Sequence, residues 1–238
     1  MKTELVLIGE KYHPLISNLS FPDETEIIYI PDNPDVDKRL SGHADLSAFG
    51  FPDGKLVLAK YLACTDLPER LKGYGIEVFI SDYAQKPDYP NDCNLNAKWI
   101  GNDLVCNPNT TDPIILQLAS ELGMNIISVK QGYTACSILT LDSETIATSD
   151  EGIQKVFQDT KYTVLKSIND GIHLEGFRNG FIGGCGFRLT NGTLYFSGPL
   201  SSYDTDISRF LEKKGYKRHE IDLPIPEDIG GGIVIPVK

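Results

Sequence analysis

Three side-chain types in this sequence could carry covalent chemistry together: a thiol, an imidazole and a carboxylate. Cys136 lies in "QGYTACSI", between a glycine-marked turn and an apolar, β-branched run. A cysteine there is either a core thiol, since free cysteine is among the most buried residue types, or a nucleophile acting as its thiolate. Cys185 in "GGCGF" is flanked by glycines that would leave its sulfur open to a ligand. Cys93 in "NDCN" has Asp92 beside it, and a neighbouring carboxylate raises a thiol pKa. His43 and Asp45 stand together in "GHADLSAF", an acid/base type next to an anionic acceptor. His173 in "GIHLEGF" is a reserve imidazole on a loop, while His13 and His219 suit a turn and a solvated strand. Asp92 and Asp228 adjoin glycine, proline or asparagine and suit turns as well as ligands. Cys64 and Cys106 read as packing residues.

Composition narrows the partners. The 238 residues carry a formal net charge of −11 with no long charged block. Such a chain repels phosphate backbones and anionic lipid, so neither nucleic acid nor membrane is an expected partner. The N-terminal "MKTELVLIGEKYHP" has an apolar run too short for a signal-peptide core, and no stretch approaches spanning length. Five cysteines without zinc-type or CxxC spacing argue for reduced thiols in the cytoplasm. The glycine runs "GGCG" and "GGG" have neither dinucleotide nor P-loop spacing, which leaves close backbone approach as their reason.

The elements that must position these residues repeat. Residues 43–50, the turn "FPDG", the strand "KLVLA", a helix "DLPERLKG" capped by Asp66 and the strand "IEVFI" make one unit. A second has strands at 94–100 and 103–106, a helix over 112–122 with Asp112 as cap and Pro113 at its first position, and the strand "NIISV". A third runs from strand 135–141 through "TIAT" and a helix at 150–158 behind Ser149 to "YTVLKSI". A fourth runs from "GGCGFRLT" through the hairpin signal "NG", "TLYFS" and the helix "DTDISRFLEKKG" to "KRHEIDL". The C-terminal "DIGGGIVIPV" supplies a first strand for which "ELVLI" and "EIIYI" at the N-terminus supply the rest. Units of about 41–82, 88–130, 131–169, 176–222, and 227–238 joined with 3–35 would form one domain over 1–238. Asp45, Cys93, Cys136, Cys185 and Gly232 recur about 43–49 residues apart, a repeat spacing. The bland alternative is an ordinary α+β domain. The repeat predicts a five-fold pseudosymmetric α/β propeller of ββαβ units, its ring closed by the terminal segments.

The units "QGYTACSI…ATSDEGI", "LEGFRNGFIGGCG" and "EDIGGGIVIP" resemble the pentein, or guanidino-group-modifying-enzyme, fold, and in particular an uncharacterised bacterial family within it. The resemblance spans nearly the whole chain. It implies the chemistry of deiminases, dimethylarginine hydrolases and amidinotransferases, in which a cysteine attacks a guanidinium carbon, a histidine moves protons and carboxylates hold the nitrogens. "GHAD" is similar to the His-x-Asp motif of the deiminases, which makes His43 the acid/base and Asp45 the guanidinium-binding carboxylate. Cys136, two units on, becomes the nucleophile of a circularly shifted arrangement. Cys185, Asp92, Asp228 and His173 are then further substrate contacts. The last unit lacks a cysteine, and "FIGGCG" lacks the carboxylates of the Glu-Gly-Gly-Asp type signature, so a familiar deiminase is not expected. The expectation is a small-molecule hydrolase, deiminase or transferase on a guanidino, amidino or related C–N cation bound in a central channel, without metal or organic cofactor. The same fold hosts a non-catalytic ribosome anti-association factor, so a binding protein for a small cation or a macromolecule is the competing class. A nucleophile is expected to show a depressed thiolate pKa.

Overall fold

The computed structural model describes residues 2–237; Met1 and Lys238, the ends of the expected domain, lie outside the described residues. β1 (Glu4–Gly9) and β2 (Thr25–Ile30) are parallel neighbours. β3 (Ala48–Gly50), β4 (Leu56–Leu58) and β5 (Val78–Ile80) form the next sheet, followed by β6 (Lys98–Ile100), β7 (Asp103–Cys106) and β8 (Asn125–Ser128). β9 (Leu139–Thr140), β10 (Thr145–Thr148) and β11 (Thr163–Lys166) precede β12 (Gly186–Arg188), β13 (Leu194–Phe196) and β14 (Arg218–Glu220). β15 (Ile233–Pro236) pairs antiparallel with β1, from Glu4 opposite Pro236 to Leu7 opposite Ile233.

Among the described residues this gives five three-stranded sheets, each with a middle strand antiparallel to one neighbour and parallel to the other. A parallel pair needs a crossover, and each crossover carries helix: α1 (His13–Ile16) before β2, and α2 (Ala44–Ser47) precedes β3 as a separate single turn. α3 (Leu67–Gly73), α4 (Pro113–Glu121), α5 (Thr134–Ser137) and α6 (Glu151–Phe157) follow, then α7 (Leu200–Tyr203) and α8 (Thr205–Lys214). Of these, α3, α4, α6, α7 and α8 lie in crossovers, and α5 is a second single turn ahead of β9.

The caps show which local signals hold. Asp112 accepts from Ile114 N–H at 3.0 Å at the start of α4, which buries Ile115, Leu118 and Ala119. Asp204 caps α8, and Gly215 ends it in the left-handed region at φ 72°. Two expected caps move by a residue. Asp150, not Ser149, caps α6, and at α3 the hydroxyl of Thr65, not the Asp66 carboxylate, takes a free N–H.

The apolar interior is divided among clusters that bridge neighbouring sheets. One joins Leu5, Leu7 and Ile235 to Leu56, Leu58 and α3. Another joins Phe49 and Val57 to Leu104 and α4, and a third joins Ile100 and Val105 to Ile146 and α6. Leu139 and Ala147 meet Leu194, Phe196 and α8, while Val6 and Ile8 meet Phe187 and Tyr195. β3, β6, β9, β12 and β15 all contribute to the wall of one cavity of about 290 Å³.

The unit starts differ from the sequence expectation in a way that matters for the site. The pattern predicts extended segments at 43–50, 94–100 and 135–141. Instead α2, a turn around residues 91–96, and α5 precede the strands, and residues 182–185 make a 3-10 turn before β12. The glycines explain the last turn: a Cβ on Gly183 would lie 2.2 Å from the Ala135 carbonyl oxygen, and one on Gly184 1.7 Å from Asp228 Oδ1.

Candidate active site

His43 is the residue from which α2 starts, so its backbone is extended while the turn behind it is helical. That geometry sends Nδ1 to 3.9 Å from Asp228 Oδ1 and leaves the buried Nε2 without a partner. Asp45, in the same turn, is buried and accepts the Cys136 thiol proton through Oδ2 at 2.9 Å. Its Oδ1 is buried and unpartnered. Cys136 sits in α5, and its sulfur, a nitrogen of His43 and an oxygen of Asp45 lie within 4.8 Å of one another. Cys136 is 91 residues from Asp45 in the sequence, and all three residues are buried.

The sequence missed the residue that ties them together. Asn96 is buried on the turn before β6, and its carboxamide reaches both helical turns. Its oxygen accepts from Ala135 N–H at 2.7 Å and Cys136 N–H at 3.2 Å; its nitrogen donates to the Asp45 carbonyl at 3.1 Å and the Cys136 sulfur at 3.2 Å. A neutral carboxamide in a loop carries neither periodicity nor charge, so the sequence pattern holds no signal for it.

Asp228 joins the site from the segment before β15. Oδ2 accepts from Phe181 N–H at 2.8 Å and Oδ1 from Gly230 N–H at 3.0 Å. Gly230 is required: its φ is +71°, and a Cβ there would lie 2.6 Å from His43 Cα.

The other expected contacts lie elsewhere. Cys185 is packed with Leu194, Phe196 and Ile207, its thiol bonded to the Phe181 carbonyl at 3.3 Å. Its glycines open space for Asp228 and α5 rather than for a ligand at its sulfur. Cys93 packs among Val36, Leu40 and Leu46 and donates to the Pro90 carbonyl, so it does not share the Cys136 position. Asp92 is buried and takes the Tyr133 hydroxyl proton. His173 contributes by its main chain, accepting from Asp228 N–H at 2.9 Å, while its imidazole is half exposed and 3.9 Å from Glu227.

Cys136, His43 and Asp228 form the floor of a cavity of about 430 Å³. Leu40, Leu46, Leu174, Tyr133 and Phe181 wall it, and Arg178 stands at its exposed rim. The electrostatics are unusual for a nucleophile. Burial raises the Cys136 thiol well above its ordinary value, and the charges of Asp45 and Asp228 push it the same way. This reverses the expectation of a depressed thiol. Asp45 is likewise raised by burial, against the opposing pull of His43 and the Cys136 hydrogen bond. His43 Nε2 on this floor, and Asp45 Oδ1 in the wall of the neighbouring cavity of about 290 Å³, are each buried without a partner, at a cost of about 1–3 kcal/mol each when left unmet. The same thiol, imidazole and carboxylate would suit a divalent ion, which would have to displace the proton shared by Cys136 and Asp45.

Residues 9–233 match a family profile described as a family of unknown function (DUF6873). The chain belongs to that family. No curated protein matches this DUF6873 chain. Among solved structures it is similar to the agmatine deiminase of C. jejuni, at 14% identity and a TM-score of 0.56 over 93% of this chain and 87% of that one. It is similar to the N-terminal domain of ArgZ, an arginine dihydrolase from cyanobacteria, at 9% identity and a TM-score of 0.56 over 99% and 98%. The likeness is one of fold: the DUF6873 chain has the mixed α/β architecture of the pentein superfamily, with small sheets. Among its described residues no helix is long and apolar enough to cross a membrane.

Proposed function

We propose that this chain is a cysteine-dependent enzyme acting on a small guanidino, amidino or related C–N cation. The observation that carries the proposal is the convergence of the Cys136 sulfur, His43 and Asp45 within 4.8 Å beside a cavity with Asp228 on its floor. The five sheets are read as one propeller-like domain closed by β15 on β1, with the cavity at one end of its axis. That reading is supported by the clusters linking neighbouring sheets and by the common cavity that the five first strands line.

The raised thiol fits substrate-assisted activation. On their own, Asp45 and Asp228 oppose a thiolate. A guanidinium or amidinium cation bound in the cavity beside the sulfur and Asp228 offsets the negative charges that oppose the thiolate, so the nucleophile forms only when its target is present. The Sγ–C bond then forms as the thiol proton passes to His43. The C–N bond to the leaving amine breaks as His43 returns that proton, and water cleaves the Sγ–C bond to regenerate the thiol. The apolar walls suit a short hydrocarbon stem, and Arg178 at the rim suits an anionic end.

The buried neutral thiol also favours a second reading, a protein that binds such a cation without turning it over. Both are tested by offering the chain a haloacetamidine, a neutral haloacetamide, agmatine and arginine. Enzyme chemistry predicts that the amidinium reagent modifies Cys136 at least tenfold faster than the neutral one, and that a guanidino compound releases ammonia or urea. Saturable cation binding without release would assign the binding role. Equal rates for both reagents, with no binding, would defeat the site assignment.

A further inference from the structure

A second cavity, of about 290 Å³, adjoins the site on the other side of Asp45 and is lined by the edges of β3, β6, β9, β12 and β15. Its wall carries two cations as well as the carboxylates of Asp45 and Asp142. Lys98 and Arg188 project from β6 and β12 into its wall, and Thr140 adds a hydroxyl. Arg188 Nε and Thr140 Oγ1 are buried without hydrogen-bond partners. Among the described residues neither Lys98 nor Arg188 joins any ion pair, although Lys161, Arg209 and Arg218 all find a carboxylate.

Two acids share the wall: Asp142 is committed, and Asp45 engages Cys136 through Oδ2 while its Oδ1 has no partner. Asp142 takes the Tyr216 hydroxyl proton and Glu144 N–H at 2.8 Å, and those bonds hold it below the usual carboxylate range despite its burial. Half-buried cations that no ion pair satisfies are costly. In a chain of net charge −11 they are also the least expected sign. Burial lowers the Lys98 ammonium, against the pull of Asp45 and Cys136.

We propose that this cavity binds a small anion carrying a carboxylate or phosphate group, gripped by Lys98 and Arg188 with the Thr140 hydroxyl. Guanidinium and ammonium together supply the planar and the point-charge donors that such oxyanions take. The volume leaves room for a few further heavy atoms, so an organic anion fits as well as an inorganic one. The cavity adjoins the one proposed for the cation, with Asp45 in its wall, and the proposal stands whether or not Cys136 is catalytic.

The test is ligand-dependent melting of the full chain with inorganic phosphate, succinate and, as the ionic-strength control, chloride. Phosphate or succinate at millimolar concentration is expected to raise the melting temperature beyond the chloride control, and the better of the two names the anion class. Lys98→Met and Arg188→Gln should each weaken the apparent affinity at least tenfold, while Cys136→Ser leaves it unchanged. Phosphorus-31 line broadening of phosphate, or carbon-13 for labelled succinate, on the wild-type chain reads binding without any variant. Loss of broadening on adding Cys136-directed haloacetamidine would place the anion in the other cavity and overturn the proposal. So would the absence of any shift or broadening beyond chloride.

Discussion

Cys136 and Cys185 look alike in the sequence and have opposite environments in the fold. Each is buried, each directly precedes or nearly precedes the first strand of a sheet, and each thiol is raised by burial. Cys136 lies in a helical turn whose neighbours are Asp45 and Asn96, and it opens onto a cavity. Cys185 abuts β12 and is sealed among Leu194, Phe196 and Ile207. Burial alone therefore does not distinguish the two thiols; what distinguishes them is the Asp45 carboxylate and Asn96 carboxamide at the Cys136 sulfur and the cavity that reaches it.

The largest effect that tests this contrast is on chemistry. Cys136→Ala should abolish turnover of any guanidino or amidino substrate, by about 10³-fold or more as for loss of an enzymatic nucleophile, while Cys185→Ala keeps the rate within a few-fold. Product release under matched conditions measures both, and a dead Cys185→Ala with a live Cys136→Ala would reverse the assignment.

A smaller effect concerns proton affinity. The Asp45 carboxylate raises the Cys136 thiol, so Asp45→Asn removes a negative charge and lowers it. A thiol that ionises more readily is more often the reactive thiolate, so alkylation of Cys136 at fixed pH should rise, by about tenfold if its profile moves one pH step towards acid. Cys185 is held up by burial and by Asp228 and Glu227, so its profile should stay where it is. Mass spectrometry of each site across pH reads the two together, and a Cys136 profile unmoved by Asp45→Asn would break the electrostatic account.

The smallest effects are on stability. Asn96→Ala leaves the Ala135 and Cys136 amides without their acceptor and should cost about 1–3 kcal/mol in urea unfolding. Cys185→Ala removes one sulfur from an apolar cluster and should cost about 1 kcal/mol. A larger loss at Cys185 than at Asn96 would mean that the polar bridge matters less than the packing.

The legible parts of the molecule are those with local causes. Asp112 followed by Pro113 foretold α4, and "NG" marked the turn where Gly192 takes φ +90°. Residue type and position in the repeat single out His43, Asp45 and Cys136, and the structure brings them together. The direction of Cys185 and Cys93 was not legible. Successive side chains alternate across a strand but rotate by about 100° in a helical turn. The unit starts proved to be turns that end at different distances from their strands, so alignment of the cysteines did not carry over into a shared direction. Asn96 escaped because its role exists only once α2 and α5 face it.

The pairing of β15 with β1 has a mechanical consequence. Glu4 opposes Pro236 and Leu7 opposes Ile233, so a pull that separates Glu4 from Pro236 loads the rungs one after another, as a zipper, rather than all at once in shear. The segment freed first leads back through Gly232 and Gly230 to Asp228, whose two oxygens hold Phe181 and Gly230 and face His43. Low force across that pair would withdraw one wall of the site while the other four sheets stay intact.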